Sequence, residues 1–578
     1  MKPECATAVG TAFGVLASIV ALLTARPSIA EPLAATPRIT TFRNPVLPGF
    51  HPDPSVVRVG PWFYLVNSTF EFFPGVSVHR SRDLVHWEPI GHALTRDSQL
   101  PLGQAAPSCG IFAATIRESH GTFYVITTNV TDGGNFLVTA RDPSGPWSEP
   151  VRITGQGGID PSLFFDDDGK VYLTSTGGAP DENTAPGIWQ SLLDVTTGKV
   201  LSHPRLVWTG TGGRYPEGPH LYRVGARYYL MISEGGTEYG HMVTIARAAA
   251  PWGPFEVCPR NPILTHRNTQ MDQPIQGTGH ADLVQDSERN WWMVFLGFRT
   301  AGGGYWHHLG RETFLAPMRW DDQGWPVVNE GKPIAIEMAI AHGLPESALP
   351  APPVRDDFDG PLGLAWNYLR NPVRDSYSLT ARPGWLTLRG TPVTLADAAG
   401  PPFMSPTFVG RRQEHLRVRM ATRIDFAPTQ EAQEAGMVLY REPHHRYELG
   451  VRKTGGHRQV FVRQTIGTSL SAITATAKVP EEGPLLLQID AAPEQYTLSW
   501  GIAPDKLAKL DSAVSRYLSS EVAAGFIGTY VGLYATTAAP AAIDPSAARA
   551  TKAKPAAPGA TPPAPPAAFD WFDYEPSR

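Results

Sequence analysis

Short stretches of alternating hydrophobic and polar residues recur along most of the chain, and helical periodicity is nearly absent. Aromatic and β-branched residues form compact runs at residues 62–66, 122–126 and 291–295. Glycine, proline, asparagine and aspartate separate these runs, and the chain holds 56 glycines and 56 prolines. Because such runs favour strands and such separators favour turns, the pattern predicts an all-β protein.

An internal repeat narrows the all-β prediction to one architecture. Five segments share a leading residue, a short apolar strand, a turn and an aromatic residue 11 or 12 positions after the leading one. The leading residues are Asp53, Ala113, Asp160, Glu217 and His280. They are spaced 47 to 63 residues apart, which leaves room for a four-stranded blade in each copy. The repeat therefore predicts a five-bladed β-propeller over residues 40–330.

The leading residues carry the candidate chemistry. The innermost strand of each blade runs along the central channel of a propeller, so equivalent positions form one ring at one depth. Asp53, Asp160, Glu217 and His280 thus converge from distant parts of the sequence. Several buried acids at one depth repel each other and lose hydration, which is costly unless the site uses them.

This ring suits the hydrolysis of a glycoside with inversion. One carboxylate activates water, and a carboxylic acid about 6.5–9.5 Å away protonates the leaving oxygen. Blades 1 and 4 are not neighbours in a ring of five, so we expect Asp53 and Glu217 to face each other across the channel. We assign Asp53 as the general base and Glu217 as the general acid. Asp160 on blade 3 adjoins Glu217, and its charge is expected to raise the pKa of Glu217 and to orient the substrate.

A second domain is predicted after the propeller. Residues 331–353 read as a linker, and residues 354–578 show short alternating strands typical of a β-sandwich. A Pro/Ala-rich stretch at 538–567 cannot pack a core and is expected to be a disordered insertion. The aromatic run at 569–574 then reads as the last strand of the sandwich.

The first 30 residues have the pattern of a signal peptide. Lys2 precedes an apolar run at 13–23, and Ser28-Ile29-Ala30 forms a small-x-small cleavage site. The alternative is an uncleaved membrane anchor, but the run is short for the ~20 residues that a span needs. We therefore expect a secreted or periplasmic protein with no membrane contact after cleavage.

The charge and the cysteine count argue against a nucleic-acid partner and against a disulfide framework. The formal net charge is −5, from 49 basic and 54 acidic residues, without the basic stripe of a nucleic-acid binder. Three cysteines imply no disulfide framework. The sequence leaves the oligomeric state open.

Six motifs, in chain order, resemble those of glycoside hydrolase family 43. They are NPVLPGFHPDPS at 44–55, STFEFFPGV at 68–76, IDPS at 159–162, PEGPH at 216–220, GTGHAD at 277–282 and LGRET at 309–313. The later part of the chain resembles the concanavalin-like jelly-roll domain of the family's β-xylosidases and arabinofuranosidases. The resemblance covers about residues 40–537 and the last strand.

The resemblance implies further site residues. It implies the same base, acid and modulator, contacts between Arg311 and substrate hydroxyls near the base, and a sugar pocket lined by Phe70. The family usually has Gly-Ile-Trp (or Tyr)-Ala-Pro in the second blade, where this chain has Gly-Ile-Phe-Ala-Ala at 110–114. Phe112 keeps a stacking face without a polar edge, so the departure affects sugar contacts and not the chemistry.

His280 has two interpretations. In similar enzymes this histidine lies beneath the sugar or holds a hydrated Ca²⁺ or Na⁺ in the channel. One imidazole is a poor calcium site, since calcium prefers six to eight oxygen ligands. We favour His280 as a substrate-proximal residue, treat a Ca²⁺ in the channel as structural, and expect that no cofactor is required.

Three functions remain open at this stage. The resemblance implies an exo-acting, inverting β-xylosidase or α-L-arabinofuranosidase that removes terminal xylose or arabinose from xylan, arabinoxylan or arabinan. An endo-arabinanase is the alternative within enzymes. A non-catalytic carbohydrate-binding propeller is disfavoured, because all three ring carboxylates are present. Xylose and arabinofuranose present similar hydroxyl patterns, and the sequence does not separate them.

Overall fold

A computed structural model describes residues 37–177, 186–270, 272–401, 403–538 and 564–577. The predicted signal peptide at 1–30 and residues 539–563 of the predicted insertion lie outside the described residues. Within these ranges the one α-helix is Ser520–Ala523, and no helix has the length and apolar character that crossing a membrane requires. Short 3₁₀ helices occur at Asn329–Gly331, Arg374–Ser376, Asp397–Ala399, Pro504–Lys506 and Ser515–Leu518.

Five antiparallel sheets of four or five strands occupy the first part of the described chain, which confirms the propeller prediction. From the channel outward, blade 1 contains Ser55–Val59, Trp62–Asn67, Gly75–Ser81 and Glu88–Leu94, and blade 2 contains Thr115–Ser119, Thr122–Asn129, Gly134–Ala140 and Val151–Arg152. Blade 3 contains Ile159–Phe165, Val171–Thr176, Ile188–Asp194, Lys199–Val200 and Arg205–Trp208, and blade 4 contains Glu217–Val224, Arg227–Glu234, Met242–Ala248, Glu256–Val257 and Leu264–Thr265. Blade 5 contains Ile275–Gln285, Trp291–Arg299, Glu312–Trp320 and Pro326–Val328.

The inner strands close into a ring, because each contacts the inner strand of the next blade and blade 5 contacts blade 1. Aromatic residues of the repeat pack one blade against the next. Tyr64 meets Phe123 edge-on at 5.1 Å between ring centroids, and Tyr124 packs on Phe165 at 4.9 Å. A two-stranded ribbon of Arg38–Arg43 and Glu337–Pro345 brings the two ends of the propeller segment together.

Two sheets of eight strands form the second part of the described chain, with a hydrophobic core between them. One sheet contains Arg355–Asp356, Tyr377–Ser378, Leu386–Leu388, Ala567–Pro576, Val418–Asp425, Leu485–Ala491, Gln495–Gly501 and Leu507–Val514. The other contains Leu470–Lys478, His457–Ile466, His445–Thr454, Glu434–Glu442, Tyr530–Thr536, Thr407–Arg412, Asn367–Leu369 and Phe72–Phe73. This arrangement is a β-sandwich, as predicted.

One propeller segment is part of the sandwich. Phe72–Phe73, which follows a pocket-lining residue of blade 1, pairs antiparallel with Asn367–Leu369 and forms the edge of a sandwich sheet. The ring of Phe72 stacks on Tyr530 at 3.9 Å, and buried Arg412 donates a 2.6 Å hydrogen bond to the carbonyl of Phe50. These contacts fix the sandwich against blade 1 and bring Phe526, which follows the short helix of the sandwich, to the channel.

Candidate active site

The ring side chains point into the channel because the backbone departs from regular strand geometry at each of them. Asp53, Asp160 and His280 have φ values of +52°, +54° and +44°, in the left-handed region. The strand register shifts between Ile159 and Ser162, and between Glu217 and His220. Left-handed non-glycine residues cost about 1–3 kcal/mol each and cluster at functional sites, and bulges re-aim side chains.

All seven predicted site residues line one pocket. Its walls are Asp53, Phe70, Phe112, Ala113, Ile159, Asp160, Glu217, Thr237, His280, Arg311 and Phe526. The pocket volume is about 110 Å³, well below the ~300–1,000 Å³ of ordinary ligand clefts. A pocket of this size suits one sugar unit and not a length of glycan.

Asp53 is buried and held by two strong hydrogen bonds. Ser68 Oγ donates to Asp53 Oδ2 at 2.5 Å, and Arg311 Nη1 donates to Asp53 Oδ1 at 2.9 Å. His280 Nδ1 lies 3.7 Å from Asp53 Oδ1. Burial alone would raise the pKa of Asp53, but Arg311, then His280 and the Ser68 hydrogen bond, outweigh it and hold the pKa below its usual value. Asp53 is therefore an ionised carboxylate that can accept a proton.

Asp160 has a different environment from Asp53. Its Oδ2 accepts one hydrogen bond of 3.1 Å from the backbone N–H of Gly218, the residue after Glu217. Burial raises the pKa of Asp160 above its usual value; His280 opposes this effect and the charge of Asp53 adds to it. Asp160 is thus linked to the backbone that carries Glu217.

Glu217 is the carboxyl group that most strongly retains its proton. Burial raises its pKa well above the usual value, and the charges of Asp160 and then Asp53 raise it further, against a smaller opposing effect of Arg311. Its side chain remains about 19% exposed, so it can reach a group that enters the pocket. The three carboxyl groups therefore differ in proton affinity, with Asp53 and Glu217 at the two extremes.

A buried histidine lies behind Glu217. His241 Nδ1 is 3.2 Å from the carbonyl of Gly277, which assigns the ring proton to Nδ1. His241 Nε2 has no hydrogen-bond partner and lies 3.8 Å from Glu217 Oε1. Burial lowers the pKa of His241 to about 3, with a further contribution from His280, so the ring is neutral. No positive charge from this ring therefore stabilises the ionised form of Glu217.

Three phenylalanines form the apolar wall of the pocket. The rings of Phe70 and Phe112 are 5.1 Å apart, and Phe526 lies 6.1 Å from Phe70 and 6.3 Å from Phe112. The Arg311 guanidinium lies over the rings of Phe70 and Phe526 at 5.4 and 5.6 Å. Phe526 belongs to the sandwich, so both domains build the site.

Sequence reasoning missed four residues of the site. Ser68 stands in a motif that resembles the family, but the motif does not show that its hydroxyl binds Asp53. Thr237 and His241 lie in a loop of blade 4 outside the repeat. Phe526 lies 198 residues after the last propeller strand, which ends at Val328, and no spacing connects it with the channel.

The donor set around His280 does not fit a calcium ion. Among the described residues, no group of three or more His, Cys, Asp or Glu side chains is arranged to hold a metal. The His280 ring lies beside Asp53 and against Gly218, where an added Cβ would stand 3.1 Å from the ring. One imidazole does not supply the oxygen ligands that calcium prefers. His280 is a wall of the pocket, and the absence of a cofactor requirement stays a prediction.

Comparison with known proteins shows to which family the chain belongs. Residues 42–326 match Glycosyl hydrolases family 43, and residues 355–544 match the Beta xylosidase C-terminal Concanavalin A-like domain. The chain is 41% identical over 539 residues to a non-reducing end α-L-arabinofuranosidase of Bacteroides ovatus, covering 92% of this chain and 94% of that protein. It is 40% identical over 506 residues to a xylosidase/arabinosidase of Butyrivibrio fibrisolvens, covering 86% of this chain and 95% of that protein.

A solved structure shows the same architecture. The structure described as "Bacteroides ovatus Xyloglucan PUL GH43B" superposes with a TM-score of 0.83 at 40% identity, over 93% of this chain and 100% of that chain. The resemblance inferred from the motifs is thereby confirmed over both domains. The chain belongs to glycoside hydrolase family 43 and is a glycosidase in which a five-bladed propeller is followed by a concanavalin-like sandwich.

Proposed function

We propose that this glycosidase is exo-acting and inverting, and that it releases terminal xylose or arabinose from xylan- or arabinan-derived glycans. The observation that carries the proposal is a one-sugar pocket in which a low-pKa and a high-pKa carboxyl group face the same space. The names of the relatives, an arabinofuranosidase and a xylosidase/arabinosidase, support pentose as the substrate class.

Asp53 is the general base in this proposal. Its carboxylate is ionised, and Ser68 and Arg311 fix both of its oxygens. It accepts a proton from the water that attacks the anomeric carbon. Arg311 also binds sugar hydroxyls beside the base, and His280 lies next to Asp53 below the sugar.

Glu217 is the general acid. Burial, then the charges of Asp160 and Asp53, raise the pKa of Glu217 and keep its proton until the leaving oxygen requires it. Asp160 raises the pKa of Glu217 and, through Gly218 N–H, positions the backbone beside it. Proton donation from Glu217 and water attack assisted by Asp53 complete a single displacement, which inverts the anomeric configuration.

The shape of the pocket favours exo action over the alternative endo-arabinanase. An endo-acting enzyme needs a groove open at both ends, whereas the sandwich loop places Phe526 against the pocket beside Phe70. The remaining alternative, a non-catalytic carbohydrate-binding propeller, does not need three carboxyl groups of different proton affinity. We further infer from residues 1–30 that the protein acts outside the cytoplasm, on oligosaccharides or polysaccharides and without a required cofactor.

Hydrolysis of 4-nitrophenyl β-D-xyloside and 4-nitrophenyl α-L-arabinofuranoside by the purified protein tests this function. We expect turnover of at least one of them, and Asp53→Asn should abolish it because the water loses its base. Proton NMR before mutarotation then reports the stereochemistry, and a β-xyloside should give α-xylose first. Release of β-xylose first would show that the carboxyl groups do not work by single displacement.

A further inference from the structure

A group of polar side chains lies in the propeller channel next to the catalytic ring. It consists of Ser55 on blade 1, Arg117 on blade 2, His220 and Tyr222 on blade 4, and Asp282 on blade 5. Each belongs to the inner strand of its blade and follows the ring residue of that blade by a few positions. The mechanism proposed above uses none of these side chains.

Asp282 is at the centre of this group. Its Oδ2 accepts hydrogen bonds of 2.7 Å from Ser55 Oγ and 3.0 Å from the backbone N–H of Val56, both on blade 1. Its Oδ1 accepts a hydrogen bond of 2.6 Å from Tyr222 Oη on blade 4. The Asp282 side chain is fully buried, so water does not compete for these bonds.

Arg117 binds the same carboxylate from blade 2. Its Nη1 donates to Asp282 Oδ2 at 2.8 Å and to Ser55 Oγ at 3.2 Å. Its Nη2 donates to Asp282 Oδ1 at 3.3 Å and to His220 Nδ1 at 2.9 Å. Burial lowers the pKa of His220 to about 3, so the ring is neutral and its Nδ1 can accept this bond. One guanidinium thus connects blade 2 with the inner strands of blades 1, 4 and 5.

Two of the strands that this guanidinium connects carry the base and the acid. Ser55 comes two residues after Asp53, and His220 comes three residues after Glu217. Blades 1 and 4 are separate sheets, so strand pairing does not set the distance between the two carboxyl groups. Hydrolysis with inversion requires a separation of about 6.5–9.5 Å, which must admit a water molecule.

The ion pair of Arg117 and Asp282 is better suited to fixing positions than to adding stability. Apolar side chains of similar volume often stabilise a fold as well as a buried ion pair does. Hydrogen bonds between charged groups are directional, however, and hold the strands that carry them in one arrangement. Burial would raise the pKa of Asp282, but Arg117 beside it holds the pKa well below its usual value, so the pair stays ionised at neutral pH.

We propose that Arg117 is a positioning residue, which sets the separation of the base Asp53 and the acid Glu217 from within the channel. The inference rests on the proposed roles of these two carboxyl groups. Arg117 is not among the described residues that line the catalytic pocket, so its loss should leave sugar binding in place. Catalysis is more sensitive, because a misplacement of about 1 Å can reduce the rate about 100-fold.

The experiment compares Arg117→Ala with Arg247→Ala. Arg247 is also a largely buried arginine that joins two blades, since it donates to Glu256 of blade 4 and to the carbonyl of Gln323 in blade 5. It lies on the third strand of its blade, away from the channel. The values of kcat and KM are measured on a 4-nitrophenyl pentoside and on the matching pentose disaccharide. Calorimetric titration gives the Kd of the free pentose, and melting curves report folding.

For Arg117→Ala we expect kcat to fall at least about tenfold, while the Kd of the pentose changes less than about threefold. The fall should be similar on both substrates, because base and acid lose their separation together. Arg247→Ala should keep kcat within about twofold of wild type, whatever its melting temperature.

Four results would overturn the inference: a kcat within about threefold of wild type in Arg117→Ala, an equal loss of pentose binding, a fall confined to the disaccharide, or the same fall in Arg247→Ala. If Arg117→Ala does not fold, Ser55→Ala decides, since it removes only a hydroxyl. Its kcat should fall at least about threefold with pentose binding unchanged, and an unchanged kcat would overturn the inference. The stereochemistry of the wild-type reaction tests the roles of Asp53 and Glu217 separately.

Discussion

Replacing Arg311 with methionine tests how Asp53 stays ionised in a buried pocket. The two side chains are 7% and 5% exposed, and Arg311 Nη1 lies 2.9 Å from Asp53 Oδ1. Burial by itself raises the pKa of Asp53. Without the guanidinium, only the weaker influence of His280 and the hydrogen bond from Ser68 oppose this rise. The pKa of Asp53 must rise, and the ionised base must be lost at a higher pH.

The size of the shift follows from the separation of the charges. Two full charges 2.9 Å apart attract by about 6 kcal/mol at an effective dielectric constant of about 20, which corresponds to an upper bound of about 4 pKa units. The guanidinium charge is delocalised, and His280 and Ser68 remain in place. We therefore expect a rise of about 1–3 pKa units, the range usual for a carboxyl that loses an adjacent arginine.

The assay is the pH dependence of kcat/KM on a 4-nitrophenyl pentoside, because this parameter reports the free enzyme and an activated leaving group needs little acid. The acid limb should move to higher pH in Arg311→Met and stay near wild type in Arg311→Lys, which keeps the charge. Thr237→Val controls for the 3.2 Å hydrogen bond from Arg311 to Thr237. An acid limb that moves by less than about half a unit in Arg311→Met, whatever the loss of rate, would refute this account of Asp53.

Four further predictions address the other groups. Glu217→Gln should lose activity on substrates with poor leaving groups and largely spare 4-nitrophenyl glycosides; equal losses on both, measured as kcat/KM, would remove Glu217 from the acid role. Asp160→Asn should move the alkaline limb of the pH–rate profile to lower pH, because Glu217 then ionises more easily; an unmoved limb would leave Asp160 only an orienting role. EDTA should leave activity intact, and complete loss reversed by calcium would instead make His280 part of a metal site. Glu71 is fully buried, and burial raises its pKa to about 7. The free energy of unfolding should therefore fall by up to about 3 kcal/mol as the pH rises from below 4.5 to above 7. Glu71→Gln should reduce this fall in urea-unfolding experiments, and an identical fall would contradict the raised pKa of Glu71.

The repeat was sufficient to locate the chemistry, because the propeller places equivalent positions of the repeat at one depth. Asp53, Asp160, Glu217 and His280 were found from a shared spacing to an aromatic residue, and those aromatics pack blade against blade in the structure. Composition and strand pattern were likewise enough for the all-β class. These features are local or periodic, so they can be recognised in a single sequence.

The features that sequence could not supply depend on non-local contacts. The left-handed backbone at Asp53 and Asp160 is stabilised by the surrounding fold against local preference, so no propensity reveals it. His241 belongs to the site because it lies close to Glu217, and the loop that contains it is not part of the internal repeat. Phe526 reaches the pocket only because the sandwich docks on blade 1. Each of these depends on tertiary placement, which residue type and spacing do not encode.

The strand pairing of Phe72–Phe73 with Asn367–Leu369 builds a piece of the propeller segment into a sheet of the sandwich. Phe70 lies in the pocket wall only two residues before this pairing, and Phe526 approaches the same wall from the sandwich. A chain ended after the propeller would leave the backbone edge at 72–73 unpaired and expose the ring of Phe72, which is fully buried. The catalytic propeller is therefore not a transferable module: grafting or truncation at the domain boundary removes part of the pocket together with the sandwich.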